Sequence, residues 1–307
     1  MKILILGYSD IAQRKVIPAI QKLSSVKEFE VASLSRNIPK LEKLSFTFSD
    51  YDYAVKNSNA DIVYISLPNH LHYKYSKYSL NNNKNVISEK PAIFTHKELN
   101  SLFHLSNEKG LAIGISCVFE YHKGWRRFKE ISQKNSNEGV LIAEFTIPEL
   151  SSTNIRMSKS LKGGAFNDMG IYASTIGNLF WNTNIKNGRI QLIKNKDLIQ
   201  GFSVLLNYGK NKNLLGNFGF NQVYTNQVQF STQNTKYIYE KVFSQSIDHE
   251  SKIIKLNLRN RKEVDVGKDN SFYNYFDFFV NNLKNKTYLN KKFYNMNLEY
   301  LKAMELI

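Results

Sequence analysis

The chain has 307 residues, 42% of them hydrophobic, which suffices for one large domain or two ordinary ones with a sizeable core. The formal net charge of +16 is spread along the chain without a Lys/Arg block, so we expect a solvated basic surface and no nucleic-acid partner. No apolar run is long enough to span a membrane, and the single cysteine, Cys117, excludes an intrachain disulfide and a cysteine metal cluster. These features favour a cytoplasmic protein with no membrane partner and no metal site.

The first third of the chain alternates strand and helix patterns. "KILILG" at 2–7 predicts a buried strand that ends in glycine, and "IAQRKVIPAIQKL" at 11–23 predicts a helix that Pro18 kinks. Further strands are predicted at 29–36, 60–68, 84–88 and 112–116, and a helix at 72–83. Strands separated by helical patterns indicate βαβ units and a parallel sheet, so we predict a Rossmann domain over residues 1–116.

The pattern changes after residue 117, where longer β-like runs are separated by short polar turns. These runs lie at 139–150, 199–208, 213–222, 226–232 and 236–244. Helices are predicted after residue 165, at 272–284 and near 294–307. We therefore predict an α+β domain over residues 117–307 with an open, mostly antiparallel sheet, and we expect its last helix to pack back on the first domain.

The turn after the first strand, "GYSDIA" at 7–12, approximates the dinucleotide fingerprint G-x-G-x-x-G/A. Gly7 allows the tight turn, and Ala12 allows close packing of helix and sheet. Ser9 replaces the second glycine, and its hydroxyl can donate to a pyrophosphate. Asp10 and Ile11 open the helix whose N-terminal amides favour an anion. We predict that these five residues bind a dinucleotide.

The end of the second predicted strand bears on the choice of cofactor. An acid at this position typically holds the ribose of NAD, and none is present from Ala32 to Asn37. Arg36 has a donor fork suited to a 2′-phosphate, with Ser35 beside it. We therefore expect NADP, with NAD as the alternative, because Arg36 could also be a surface residue or stack on adenine alone.

A third candidate segment follows the strand at 60–68. Leu67, Pro68 and Asn69 lie where the strand ends, and ligands of open parallel sheets bind at the carboxyl ends of strands. His72 follows at the start of the predicted helix. We predict that these four residues contact the cofactor, although a turn with a helix cap at Asn69 is the plainer interpretation.

Two segments bear candidate catalytic residues. "SEKPAIFT" at 88–95 places Glu89, Lys90 and Pro91 directly after a strand, where a solvated turn is the ordinary interpretation. In "KGGAFNDMGIYAST" at 162–175, Asp168 and Tyr172 are four residues apart and share one helical face. A carboxylate and a phenol so placed can position and protonate a substrate oxygen, but an exposed Asp and a half-buried Tyr are also common on helices.

Together these motifs resemble the Gfo/Idh/MocA oxidoreductases in order and rough spacing. The motifs are "GYSDIA", "IPAI", "LPNHLH", "SEKPAIF" and "GGAFNDMGIY". They cover roughly residues 1–180, and the Glu-Lys-Pro triplet is the most specific of them. Many members have His where this chain has Tyr172, and the Tyr form resembles the glucose–fructose oxidoreductase, dihydrodiol dehydrogenase and xylose dehydrogenase branch. Ser9 departs from the family pattern, and the C-terminal region is comparatively short.

The resemblance implies an enzyme that transfers hydride between a nicotinamide and a carbinol or carbonyl carbon of a sugar or nucleotide-sugar, as in deoxysugar or surface-glycan synthesis. Glu89 and Lys90 would then adjoin the nicotinamide, and Pro91 would follow a cis bond. Lys90 and Tyr172 would transfer the proton, while Asp168 holds a substrate hydroxyl. The resemblance also implies a homo-oligomer, a dimer or a tetramer. The alternatives are a non-catalytic sensor on the same scaffold and a basic nucleic-acid binder.

Overall fold

A computed structural model gives the structure of residues 1–34, 37–134 and 136–307. The chain folds into two compact units: the first comprises Met1–Ser116 and Phe272–Leu298, and the second comprises Cys117–Ser271 and Glu299–Ile307. The functional assignment of 1–116 and 117–307 to separate domains stays a prediction. Across the described ranges, no helix is both long and apolar enough to cross a membrane.

The elements of the two units are as follows. The strands of the first unit are β1 (Lys2–Leu6), β2 (Glu28–Ala32), β3 (Leu44–Phe48), β4 (Ile62–Ile65), β5 (Asn85–Ser88) and β6 (Ile113–Ile115). Those of the second unit are β7 (Gly139–Thr146), β8 (Asn187–Asn195), β9 (Leu198–Asn207), β10 (Lys212–Gly219), β11 (Thr225–Ser231), β12 (Thr235–Glu240), β13 (Ser251–Asn257) and β14 (Arg261–Gly267). The α-helices are α1 (Ile17–Gln21), α2 (Tyr51–Asn57), α3 (His72–Asn81), α4 (His96–Glu108), α5 (Lys123–Gln133), α6 (Ala165–Trp181), α7 (Ser271–Asn281) and α8 (Lys286–Met304).

The sheet of the first unit has the Rossmann strand order. Its described strands run β3-β2-β1-β4-β5-β6, and every neighbouring pair is parallel. The predicted parallel sheet is therefore confirmed. The connection reverses direction between β1 and β4, and this switch point opens a crevice at the carboxyl ends of the strands, where α/β proteins bind their ligands.

Burial explains which strands the sequence pattern predicted. In β1, residues 3–6 are 0% exposed, and a strand covered on both faces reads as a continuous apolar run. The pattern missed β3, an edge strand whose Phe46 is 56% exposed and whose Ser45 and Thr47 are exposed as well. Strand β2 ends at Ala32, before the end that the pattern predicted, because its edge partner β3 ends opposite it at Phe48.

The helix after Gly7 is irregular before Pro18, near the predicted kink. Residues Ala12–Val16 are π-helical and lead into α1, with Pro18 in its first turn. Pro18 has no amide hydrogen to donate to the carbonyl of Arg14, so the regular i to i−4 ladder cannot pass through it. A widened turn before proline and proline near a helix start both accommodate the missing donor.

Helix α8 closes the open edge of the first sheet through one buried side chain, Asn290. Its Oδ1 accepts from the Ile113 amide at 2.9 Å, and its Nδ2 donates to the Leu111 carbonyl at 3.0 Å. Edge strands otherwise expose such groups, so Asn290 satisfies polar backbone that would be buried unpaired.

The second unit contains a mostly antiparallel sheet, as predicted. Its described strands are ordered β14-β13-β12-β11-β7-β10-β9-β8, and only the β7–β10 pair among them is parallel. Helix α6 packs on β9 and β10 through aromatic contacts, including Phe166 on Phe202 with ring centroids 4.9 Å apart. The sheet and its core therefore fix the position of α6, which bears Asp168 and Tyr172.

Candidate functional site

The predicted cofactor residues of the first unit lie along one edge of its parallel sheet. The backbone ladder continues one residue past the strands: Ser66 donates to Leu6 O at 2.8 Å, and Glu89 donates to Ile65 O at 3.0 Å. The segments after β1, β4 and β5 are therefore neighbours. They are the segments that contain the fingerprint, the Pro-Asn turn and the Glu-Lys-Pro triplet.

Gly7 has a conformation and surroundings that exclude other residues. Its φ is +94°, and a Cβ added to it would lie 2.5 Å from the backbone oxygen of Ser66. Its amide donates to Ala32 O at 2.9 Å, so the turn is tied to β2 as well. The absence of a side chain lets the chain turn closely at the switch point, which is the function that the fingerprint assigns to this glycine.

The hydroxyl of Ser9 is engaged within the same turn. It lies 2.5 Å from the Ser66 hydroxyl and accepts from the Ala12 amide at 3.2 Å. Ser9 thus caps the helical stretch 10–21 and joins the turn after β1 to the end of β4. Asp10 is exposed and Ile11 is half-exposed at the helix start. The contacts of these residues with a phosphate stay predictions.

The segment after β4 presents different side chains to solvent and to the core. Leu67 is 8% exposed, whereas Pro68 and Asn69 are half-exposed, and Asn69 begins a single turn of 3₁₀-helix ending at Leu71. His72, the first residue of α3, is 1% exposed, and each ring nitrogen lies 2.7 Å from a backbone carbonyl oxygen. The structure thus gives His72 backbone partners, and direct contact with a cofactor stays a prediction.

The Glu-Lys-Pro triplet leaves β5 as an anchored turn. The Lys90–Pro91 peptide bond is cis, as the resemblance implied. The hydroxyl of buried Tyr64 on β4 donates to the Glu89 carboxylate. Burial, followed by the charge of Glu89, raises the pKa of Tyr64, so this phenol stays protonated as the donor. Sequence reasoning missed Tyr64 because an aromatic residue in a buried strand is ordinarily core.

In the second unit, Asp168 forms an ion pair that the sequence pattern did not indicate. Its Oδ2 accepts from Arg156 Nε at 2.9 Å, and the Asp168 side chain is 15% exposed. The backbone carbonyl of Arg156 also accepts from the Gly164 amide at 2.7 Å. Arg156 therefore ties its loop to the start of α6 twice, and no local motif marks it, since it lies twelve residues before Asp168.

Tyr172 lies one turn after Asp168 on α6, within a group of aromatic rings. Its ring centroid is 5.0 Å from that of Phe243, 5.8 Å from Phe145 and 5.9 Å from Phe119. Such edge and tilted contacts fix a ring while leaving its hydroxyl as the polar end of the side chain. Asp168 and Tyr172 are thus brought together as the sequence predicted, on one helix.

Two predicted cofactor residues, Ser35 and Arg36, lie outside the described residues. The other predicted cofactor residues follow the carboxyl ends of β1, β4 and β5. A glycine turn and a helix start at this edge offer backbone N–H donors, which the phosphates of a dinucleotide require. When bound, such a cofactor supplies hydride chemistry that amino acid side chains lack.

Comparison with known proteins gives related sequences over much of the chain. A dTDP-3,4-didehydro-2,6-dideoxy-alpha-D-glucose 3-reductase of Streptomyces violaceoruber is 29% identical over 61% of this chain and 56% of its own length. A protein of the same name from Actinomadura kijaniata is 25% identical over 78% of this chain and 74% of its own. A D-xylose 1-dehydrogenase (NADP(+)) of Haloferax volcanii is 26% identical over 58% of this chain and 57% of its own. The aligned regions thus span from about half to three quarters of these relatives.

Solved structures share the fold over the whole chain. The 3-ketoreductase KijD10 of Actinomadura kijaniata, crystallised with NADP and TDP-benzene, has a TM-score of 0.90 at 20% identity and covers 100% of this chain and 96% of its own. An aldose-aldose oxidoreductase of Caulobacter crescentus has a TM-score of 0.85 at 14% identity, covering 99% and 95%.

Residues 1–116 match the model of an oxidoreductase family with an NAD-binding Rossmann fold. The match covers the fingerprint at Gly7, the Pro-Asn turn and the Glu-Lys-Pro triplet, which the structure places along one sheet edge. This part of the chain therefore matches the Gfo/Idh/MocA oxidoreductase family that its motifs resemble.

Proposed function

We propose that this protein is an NADP-dependent reductase that transfers hydride to the keto carbon of a nucleotide-linked sugar in deoxysugar synthesis. The observation that carries the proposal is the common sheet edge formed after β1, β4 and β5. It places the fingerprint turn and the Lys90 turn in one compact unit of a nicotinamide-binding family. The names of the relatives supply the substrate class, because several are 3-reductases of a dTDP-linked keto-sugar.

The cofactor is proposed to be NADP. The relative from Haloferax volcanii is named for NADP, and KijD10 was crystallised with it. Two features of this chain support NADP: the guanidinium of Arg36 suits a 2′-phosphate, and no acid is present from Ala32 to Asn37.

Lys90 and Tyr172 are proposed to supply the proton that the carbonyl oxygen gains as hydride reaches its carbon. An ammonium and a phenol can both donate, and a positioned acid of this kind contributes about 10²–10⁴-fold to rate. Lys90 follows a turn anchored by Tyr64 through Glu89, and Tyr172 is fixed by three aromatic neighbours. Both side chains are thus mounted on well-packed backbone.

Asp168 is proposed to orient a sugar hydroxyl. Its pairing with the Arg156 guanidinium favours the ionised carboxylate, which accepts hydrogen bonds and does not donate. This assigns Asp168 to positioning and leaves proton donation to the other two residues.

The proposal is tested by following nicotinamide absorbance with NADPH and NADH against a panel of substrates. The panel contains dTDP-linked and UDP-linked keto-sugars, the corresponding nucleotide-sugar alcohols in the reverse direction, and free xylose and glucose. We expect turnover of nucleotide-linked keto-sugars with NADPH, and much lower kcat/KM for free aldoses. A higher kcat/KM for free aldoses would show that the proposed substrate class, nucleotide-linked keto-sugars, is wrong.

Cofactor binding separates the remaining outcomes. Tight NADPH binding without turnover of any panel member would favour the non-catalytic sensor. If neither NADPH nor NADH binds, the proposed reductase activity is wrong. The expected homo-oligomer stays a prediction, which light scattering tests directly, and a cytoplasmic location also stays a prediction.

A further inference from the structure

His72 lies between two backbone carbonyls that belong to separate segments of the sheet edge. Its Nδ1 is 2.7 Å from the oxygen of Pro91, and its Nε2 is 2.7 Å from the oxygen of Leu67. The side chain is 1% exposed, so water does not compete for these contacts. One buried ring thus connects the segment after β4 to the segment after β5.

The chemistry of imidazole makes this connection specific. Its two nitrogens point to opposite sides of the ring; a neutral ring donates through one of them and an imidazolium through both. Burial lowers the pKa of His72, whereas its contacts with the two carbonyls act to raise it. The imidazolium therefore donates to both carbonyls, whereas a neutral ring donates to one of them and faces the other with its bare nitrogen. An amide side chain reaches only one side: Asn places its nitrogen near the position of Nδ1, and Gln places its nitrogen near that of Nε2.

The two carbonyls adjoin residues to which the proposed function assigns roles. Pro91 directly follows Lys90, the proposed proton donor, and Leu67 directly precedes Pro68 and Asn69, the predicted cofactor contacts. The turn at Lys90 has a second buried anchor on its other side, where Tyr64 holds Glu89. Loss of the His72 contact at Pro91 would remove one of these two anchors.

We propose that His72 is a positioning residue and not the direct cofactor contact that the sequence pattern suggested. It acts by tying the backbone of Lys90–Pro91 to that of Leu67–Asn69. The inference rests on the proposed function for its kinetic consequence. Its structural consequence, the linkage of two segments, does not depend on the identity of the substrate. A displacement of about 1 Å in a reacting group can reduce rate about 100-fold, so we expect loss of this buried tie to lower turnover.

The test compares His72→Asn with His72→Gln, because each retains one of the two contacts. His72→Asn keeps the contact to Pro91, so we expect it to retain most of kcat while NADPH affinity falls. His72→Gln keeps the contact to Leu67, so we expect near-normal NADPH affinity with kcat reduced roughly 10- to 100-fold and substrate KM changed little. Leu80→Ala is the control for simple destabilisation, since Leu80 lies on the same helix and is 0% exposed.

Hydrogen exchange provides a readout that needs no substrate. We expect faster amide exchange at 89–94 in His72→Gln and at 66–71 in His72→Asn, and neither selective change in Leu80→Ala. All measurements are made at a temperature where thermal melts show each variant folded. Equal effects of the two amide variants, or effects that merely follow stability as in Leu80→Ala, would overturn the proposal. If no panel sugar is turned over, the proposed function fails, while NADPH affinity and hydrogen exchange still decide the role of His72.

Discussion

Replacing Gly7 by alanine tests whether the turn after β1 controls both the stability of the first unit and its cofactor site. The backbone angle φ of +94° is one that residues with a Cβ rarely adopt, and such conformations cost about 1–3 kcal/mol. The new Cβ would also lie 2.5 Å from Ser66 O, so the chain must open by roughly 0.9 Å to reach the ordinary contact distance of 3.4 Å. Overpacking of this kind costs a further 1–3 kcal/mol or so.

We therefore expect Gly7→Ala to lower the free energy of unfolding of the first unit by about 2–6 kcal/mol. Gly110→Ala is the control, because Gly110 lies in the same unit and also has a positive φ, +59°, but a Cβ there meets nothing within 4 Å. The control should show only a backbone cost. A larger loss in Gly7→Ala reflects its contact with Ser66 and its less favourable φ.

The assay is urea unfolding followed by far-UV circular dichroism, paired with NADPH titration. Both tryptophans, Trp125 and Trp181, belong to the second unit, so their fluorescence would report on the wrong part of the chain. Because the displaced Ser66 begins the segment of Leu67, we expect NADPH affinity to fall about tenfold or more, which corresponds to about 1.4 kcal/mol. A Gly7→Ala protein that is no less stable than Gly110→Ala and binds NADPH normally would refute this role of Gly7.

Three further predictions concern catalysis, cofactor choice and pH. Lys90→Ala and Tyr172→Phe should each reduce kcat about 10²–10⁴-fold with nearly unchanged NADPH affinity, and full turnover in both variants would rule out the proposed proton transfer. Arg36→Ala should remove a preference for NADPH over NADH of roughly ten- to hundredfold, measured by titrating both cofactors; a preference that survives would assign selectivity to another residue. Burial lowers the pKa of His122 from its ordinary 6.5, and its Nδ1 accepts from the Gly124 amide at 3.0 Å, so below that pH the unfolded chain binds a proton that the folded chain resists. The free energy of unfolding should therefore fall as the pH drops below about 6.5, and fall less steeply in His122→Gln; identical urea midpoints across pH for both proteins would contradict this assignment.

The sequence alone determined the features that depend on one segment at a time. The apolar run before Gly7 predicted β1, because a strand covered on both faces has no polar side. The alternation of strand and helix patterns predicted the parallel sheet. Since ligands of open parallel sheets bind at the carboxyl ends of strands, it also predicted that residues after these strands contact a cofactor, and those contacts stay predictions. Asp168 and Tyr172 could be placed on one helical face from their spacing.

The sequence pattern did not correctly predict strands, or ends of strands, that are only partly buried. Strand β3 lies at the sheet edge with exposed side chains, so its composition did not distinguish it from a loop. The end of β2 was placed too late, because a strand ends where its partner ends and not where its own apolar residues run out.

Only the tertiary structure decided which groups hold the candidate site residues. Arg156 pairs with Asp168 across twelve residues, Tyr64 holds Glu89 from a neighbouring strand, and His72 contacts Pro91 from the start of a helix. Periodicity reports how deeply a residue is buried but not which polar group it meets there. A buried polar atom must find a partner, and the partner is set by the order of strands and the path of the chain between them.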